Sequence, residues 1–531
     1  MASSTILHQH PNLGKLKGQR LSEHLVQFRN IIYATVPLRW ARSEPVNNLT
    51  KFYDGRDFYD GTAWGPIPPQ PDNSIDFDFG LIQKPLPYTH QLNCDEEKCL
   101  NLCVTVPSAG LMKDKKLPVV VLGGFFIGCN SWPQYDMAAL AARGEKTERP
   151  IITVGINYRL GLLGFLATSE LSTKGPGGNF GLYDQSNALE WIQQHIAGFG
   201  GDRENVTVFG ESAGAISVWQ HLLRGKPLFR RAMCMSGDPR LRPCLPAEAH
   251  EGVYQNLLEE LGIKDLPVKE RIQSLRNTPW RTLTSLKSNL RCFPTLDGQF
   301  KPLADDPAQL RQQVEDCLSW CKTIVLGDCR FDASAMVMSL QQPKWLDSFI
   351  SAFAQFFDRK DIDMLVSAYG LADNQPSSDA FHQGLVQLVS DVRFYMPIVL
   401  VEEAISSDAN VRTYHFHEPN PFDGIFKGHA THVLDVAYAL QTYENLLPKE
   451  SRAVSHRMGD YLLDLAYGKL DSPSDKESRR TTVLFDTDHQ ERTISTTEYD
   501  AKHRHGAAGI LRSLDIDRLN KALNLFQFGM K

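Results

Sequence analysis

The 531-residue chain has no apolar stretch long enough to span a membrane or to form the hydrophobic segment of a secretory leader. Its last residues, NLFQFGMK, carry neither a prenylation nor a peroxisomal signal. It has no basic excess: 56 Lys and Arg stand against 62 Asp and Glu, a formal charge of -6. No positive stripe is available to neutralise phosphates, which argues against a nucleic-acid partner. Ten cysteines lie at irregular spacings, with no C-x-x-C pair and no matching histidines to complete a zinc site. They read as reduced thiols, so the expectation is a cytoplasmic protein without metal or organic cofactor and without membrane insertion. Internal repeats and Pro- or Ser-rich linkers are also missing. With 42% hydrophobic and 22% charged residues, the disordered and fibrous classes are set aside. Oligomeric state is not legible.

Short apolar runs without strict alternation occur at Pro118–Leu122, Pro150–Asn157, Asn205–Phe209 and Thr323–Leu326. Buried parallel strands have this pattern. Between them, Tyr183–Gly198 repeats Ala188, Leu189, Trp191, Ile192 and Ile196 on one helical face. Strand and helix in alternation predict an α/β layer fold. Residues from about 335 to 413 read mostly helical and look like a cap or lid inserted within one domain spanning 1–531. The polar segment Asp471–Asp500 reads as a solvated face.

The sharpest signal is Val206–Trp219, VTVFGESAGAISVW. A β-branched run leads into Gly210-Glu211-Ser212-Ala213-Gly214 and then into a helix-like stretch of small residues. This is the nucleophile elbow of a serine hydrolase, in which glycines two positions either side of the serine remove side chains that would clash on a strained turn. The turn aims backbone N–H groups and the positive helix end at Ser212, where charge develops during acyl transfer. A base and an orienting carboxylate must follow in the order acid, then histidine. Thr323–Ser334 (TIVLGDCRFDAS) offers Asp328 and Asp332, and Phe426–Tyr438 (FKGHATHVLDVAY) offers His429 and His432.

Several blocks together resemble the type-B carboxylesterase and cholinesterase family, in particular its fungal branch. They are Tyr33–Trp40, Asn157–Leu166, Gly178–Gln185, Phe199–Gly214 and Phe293–Gly298, and they span most of the chain. The resemblance implies one large α/β-hydrolase domain, with a mostly parallel central sheet flanked by helices. It carries the nucleophile onto Ser212. The acid falls on Asp332, five positions after Gly327 of the Leu326-Gly327 anchor, and the histidine on His432, with Asp435 behind it. The implied oxyanion donors are backbone N–H groups of Ala213 and of the pair Gly123-Gly124. The implied activity is hydrolysis of a small-molecule ester or thioester through an acyl-enzyme, in fungi often within detoxification or specialised metabolism. Acyl transfer or lactonisation is the alternative, and a non-catalytic binding protein of the same fold a second.

Two departures from the family pattern stand out. Family members usually carry a His or Tyr and three glycines at the oxyanion loop, whereas Val121-Leu122 here precede only two, after a shortened strand. The family's usual disulfide partner for Cys99 is Pro68 here, which removes that bridge. Among smaller signals, Glu211 either polarises the site or is a satisfied fold residue. Phe125, Phe126 and Trp132 either line an acyl pocket or pack in the core. Arg240 and Arg242, in Ser236–Cys244, suit an acidic group on the substrate, one of them forming a bidentate fork, or else belong to a surface loop. His503-Arg504-His505 reads as an exposed tract.

Overall fold

The computed structural model describes residues 5–529 except 112–115, 124–126, 172–176, 341–344, 373–381, 406–408 and 472–480. A sheet of thirteen strands runs through it. In chain order these are β1 (Thr5–His10), β2 (Gly14–Arg20), β3 (Leu25–Ile32), β4 (Tyr59–Gly61), β5 (Asn101–Pro107), β6 (Leu117–Gly123) and β7 (Ile152–Ile156). They continue as β8 (Gly201–Glu211), β9 (Arg231–Met235), β10 (Thr323–Cys329), β11 (Val411–Phe416), β12 (Thr481–Phe485) and β13 (Glu491–Ser495). The spatial order is β1-β2-β3-β5-β7-β6-β8-β9-β10-β11-β12-β13, with β4 beside β2. From β7 to β12 every pairing is parallel. The pairings from β1 through β5 to β7, and the last one, β12 with β13, are antiparallel. All four apolar runs lie in the parallel block, as β6, β7, β8 and β10.

Strand period decides which layer each residue enters. Val119 and Val121 of β6 face a cluster containing Trp191 and Ile192 of α1 (Phe180–His195) and Trp219 of α2 (Ala213–Arg224). Val120 and Leu122 face the opposite cluster, with Leu462 and Leu463. Both faces are thus covered, which is why these strands lack alternating polarity.

A third cluster joins Phe349 and Phe353 to Leu385, Val389 and Met396 of α3 (Gln383–Ala404), and to Leu519, Leu523 and Phe526 of α4 (Ile516–Phe528). The helices between 345 and 404 therefore share a core with the C-terminal helix. By length and composition α3 is apolar enough to cross a membrane, contrary to the sequence reading, and 83% of its apolar window is buried in the protein. The polar segment 471–500 also departs from expectation. It supplies β12 and β13 and buries Leu484 and Phe485 on opposite faces of the sheet, both of them covered, and Tyr499 on the helix that follows, beside Leu484.

Candidate active site

β8 ends at Glu211 and α2 begins at Ala213, leaving Ser212 between them at φ 56°, ψ −119°. An L-residue occupies that region only when its surroundings enforce it. Here the Ser212 N–H donates to the Met235 carbonyl at 2.8 Å, and Ile216 N–H closes on the Ser212 carbonyl at 3.1 Å. The turn also needs glycine at 210: a Cβ there would lie 2.4 Å from the backbone C and O of Gly214. Ala213 opens α2, so its N–H has no intrahelical acceptor.

The acid and histidine loops are sewn together by backbone: Phe331 N–H donates to the Ala430 carbonyl at 2.9 Å, beside a Phe331–Thr431 bridge. His432 N–H donates to Ser334 Oγ at 3.0 Å. This brings His432 Nδ1 to 2.8 Å from Asp332 Oδ1, while Asp332 Oδ2 accepts from Cys329 N–H at 2.8 Å. The carboxylate can only accept, so Nδ1 carries the proton. Asp328 lies elsewhere: its oxygens accept from His415 Nδ1 at 2.5 Å and from buried Arg504. Arg504 is 1% exposed and also pairs with Asp391, so it is not part of an exposed tract. His429 stacks on Phe331, ring centroids 4.4 Å apart.

His432 Nε2 lies 2.9 Å from Glu211 Oε1. No hydrogen bond joins it to the Ser212 hydroxyl among the described residues. The imidazole therefore rests between two carboxylates. Burial alone would lower its pKa, but the charges of Glu211 and Asp332 outweigh that and hold it well above the ordinary histidine value. Burial raises the Asp332 carboxyl to about 6, partly offset by His432. Asp78, which the sequence reading overlooked, is raised to about 6 by burial and accepts from Gln134 Nε2 and the Tyr135 hydroxyl at 2.8 and 2.9 Å. Nothing in its local sequence distinguishes it, since it sits on a short helix far from the elbow in the chain.

These groups open on a cavity of about 1600 Å³, lined by Asp78, Leu122, Tyr135, Glu211, Ser212, Ala213, Arg242, Phe293, Phe394 and His432 among others. Phe394, also unforeseen, sets its ring edge-on to His432 at 5.5 Å. Gly123 ends β6, paired in register with Gly210. Gly124, Phe125 and Phe126 lie outside the described residues. Trp132 is 1% exposed, packed with Ile75, Phe79 and Cys129, and does not line the cavity. Of the two arginines singled out, Arg240 is tied to Asp238 and Asp305. Arg242 lines the cavity with its guanidinium over Phe293, 4.9 Å from the ring centroid. All ten cysteines are free thiols. Away from the cavity, His417, Asp486 and His503 hold potential ligand atoms within 4.8 Å of one another.

A strand–elbow–helix serine, a carboxylate-bound histidine and a cavity at the carboxyl ends of parallel strands define the α/β-hydrolase class. Residues 5–506 match the family model described as the carboxylesterase family, and the chain belongs to that family. It is a serine ester hydrolase by that membership. The para-nitrobenzyl esterase of Bacillus subtilis (strain 168) is 28% identical over 507 residues, 90% of this chain and 94% of the relative. Lipase 3 of Yarrowia lipolytica is 28% identical over 462 residues, 83% and 84% of the two chains. A solved PNB esterase structure superposes with a TM-score of 0.71 at 24% identity, covering 97% of this chain and all of the other, a likeness in fold.

Proposed function

We propose that the cavity hydrolyses a small-molecule carboxylic ester through Ser212, with His432 as base and Asp332 as the group that orients it. The observation carrying this reading is the 2.8 Å contact between His432 Nδ1 and Asp332 Oδ1 beside a serine strained into the left-handed region. In neutral His432 the Asp332 contact leaves Nε2 free to accept a proton. Catalysis then requires Nε2 to exchange Glu211 for the Ser212 hydroxyl, as catalytic hydrogen bonds often tighten only with substrate bound.

The Ser212 proton passes to Nε2 while Oγ bonds to the acyl carbon. The carbonyl oxygen takes the negative charge, facing the N–H groups of Ala213 and of the Gly123-Gly124 pair. The imidazolium returns its proton to the leaving alkoxide as the ester C–O bond breaks. Water, deprotonated by His432, then cleaves the acyl-enzyme and releases the acid. Thioesters fit the same steps, and an alcohol in place of water would make the reaction an acyl transfer. The free cysteines are consistent with a reducing compartment such as the cytoplasm, and detoxification or specialised metabolism is the setting the family likeness suggests.

The test is fluorophosphonate labelling and 4-nitrophenyl ester turnover by wild type, Ser212→Ala and His432→Ala. An adduct and turnover in wild type, both abolished in Ser212→Ala and strongly reduced in His432→Ala, is the expected result. A wild type that neither labels nor turns over ester would overturn the reading in favour of a binding role.

A further inference from the structure

The helix α3 carries a single π-turn, Asp391–Tyr395, between its α-helical halves Gln383–Ser390 and Met396–Ala404. Such insertions re-aim side chains and concentrate at functional sites. Here the turn delivers two consecutive side chains to the cavity wall, Arg393 and Phe394. Phe394 touches His432. Arg393 is 6% exposed, and its guanidinium has neutral partners only: Asn524 Oδ1 at 2.8 Å and Met336 Sδ at 3.9 Å. Its Nε has no acceptor.

A buried cation normally keeps a carboxylate beside it, because desolvation is otherwise uncompensated. The largely buried Arg240 on the same cavity follows that rule, pairing with Asp238 and Asp305. Among the described residues no acid pairs with Arg393. Asp391, two residues earlier, is taken by Arg504 and Arg330 and accepts from Gln387 and Tyr369. Burial, with added repulsion from Arg242, lowers the Arg393 pKa to about 9. Arg242 stands on the same wall, its guanidinium over the Phe293 ring.

We propose that Arg393, with Arg242 beside it, is an anion-binding subsite, and that the ester this cavity accepts carries a carboxylate on the part of the molecule reaching past Phe394. The inference rests on the ester-hydrolase reading and narrows it to acidic substrates. The substrate carboxylate supplies the charge the fold withholds, accepting from the Arg393 guanidinium where it lines the cavity. The unpaired cation costs the empty protein stability, a trade common where a site is kept ready for a ligand.

The test compares mono(4-nitrophenyl) suberate with 4-nitrophenyl octanoate, esters of equal chain length differing in a terminal carboxylate. Wild type, Arg393→Gln and Arg393→Lys are assayed for the ratio of kcat/KM on the two. Wild type is expected to favour the acidic ester, Arg393→Gln to lose roughly tenfold or more of that ratio, and Arg393→Lys to recover part of it. Binding of both esters to Ser212→Ala by calorimetry reads the same preference without catalysis. Arg393→Gln is also expected to melt above wild type. Turnover of both esters by wild type without preference overturns the subsite and leaves the hydrolase reading intact. A preference in Ser212→Ala binding with no wild-type turnover overturns the hydrolase reading and leaves the subsite. An Arg393→Gln protein that melts lower with its ratio unchanged makes Arg393 a structural residue and refutes the proposal.

Discussion

Asp332→Asn replaces a carboxylate that can only accept with an amide at the atom facing His432 Nδ1 across 2.8 Å. If the amide nitrogen takes that place, the imidazole must flip its tautomer, leaving the proton on Nε2, where it cannot receive the Ser212 hydrogen. If the amide oxygen does, the imidazolium loses its compensating charge. The rate expected to disappear is on the order of ten-thousandfold in kcat, about 5.5 kcal/mol of transition-state stabilisation. Stability should hardly move: Asp332 is already raised to about 6 by burial, so a neutral isostere removes a desolvated charge while its oxygen can still accept from Cys329 N–H. Asp328→Asn is the matched control, four residues earlier, near the end of β10. Burial would raise the Asp328 carboxyl, but Arg504 and His415 overcome it and hold it low. Removing that charge leaves buried Arg504 with Asp391 alone, at a cost of about 3 to 5 kcal/mol. A chain of this length unfolds with an entropy of about 1.1 kcal/mol per degree, so the melting point should fall by about 3 to 4 °C, with kcat within about threefold of wild type. Paired measurements of kcat on a 4-nitrophenyl ester and of Tm by calorimetry separate the two roles. Loss of rate in Asp328→Asn with retention in Asp332→Asn would refute the assignment.

Glu211→Gln removes one of the two charges that raise the His432 pKa, so neutral imidazole should become available at lower pH. The acidic limb of a kcat/KM profile is therefore expected to move to lower pH; an unmoved limb would show that Glu211 does not set the base's charge. Gly210→Ala pushes a methyl group into the backbone of Gly214 and displaces Ser212. A loss of about a hundredfold or more in kcat/KM, with circular dichroism unchanged, is the expected outcome.

Much of this protein was legible without coordinates because local chemistry dictated it. Gly210-Glu211-Ser212-Ala213-Gly214 is a backbone requirement as much as a catalytic one, so the motif marks the turn wherever the chain passes. The parallel strands were readable because burial on both faces removes their alternation, leaving continuous apolar runs such as Pro118–Leu122. β12 and the edge strand β13 sit in a segment whose polar residues concealed Leu484, Phe485 and Tyr499.

What only tertiary structure decided was which groups meet. The residue pattern left Asp328 and Asp332 open, and family likeness favoured the second. The fold separates them physically: β10 ends at Cys329, and the short helix that follows turns Asp332 toward His432, leaving Asp328 level with His415 on β11. The contact of Glu211 with His432 depends on loops more than two hundred residues apart, and the Arg393 environment on α3 meeting α4, whose Asn524 is its neutral partner. Propensity and periodicity act over a few residues, whereas charge compensation acts across whatever the packed layers bring together. For that reason a serine hydrolase could be read from the chain alone, while the partner of each charged group waited on the fold.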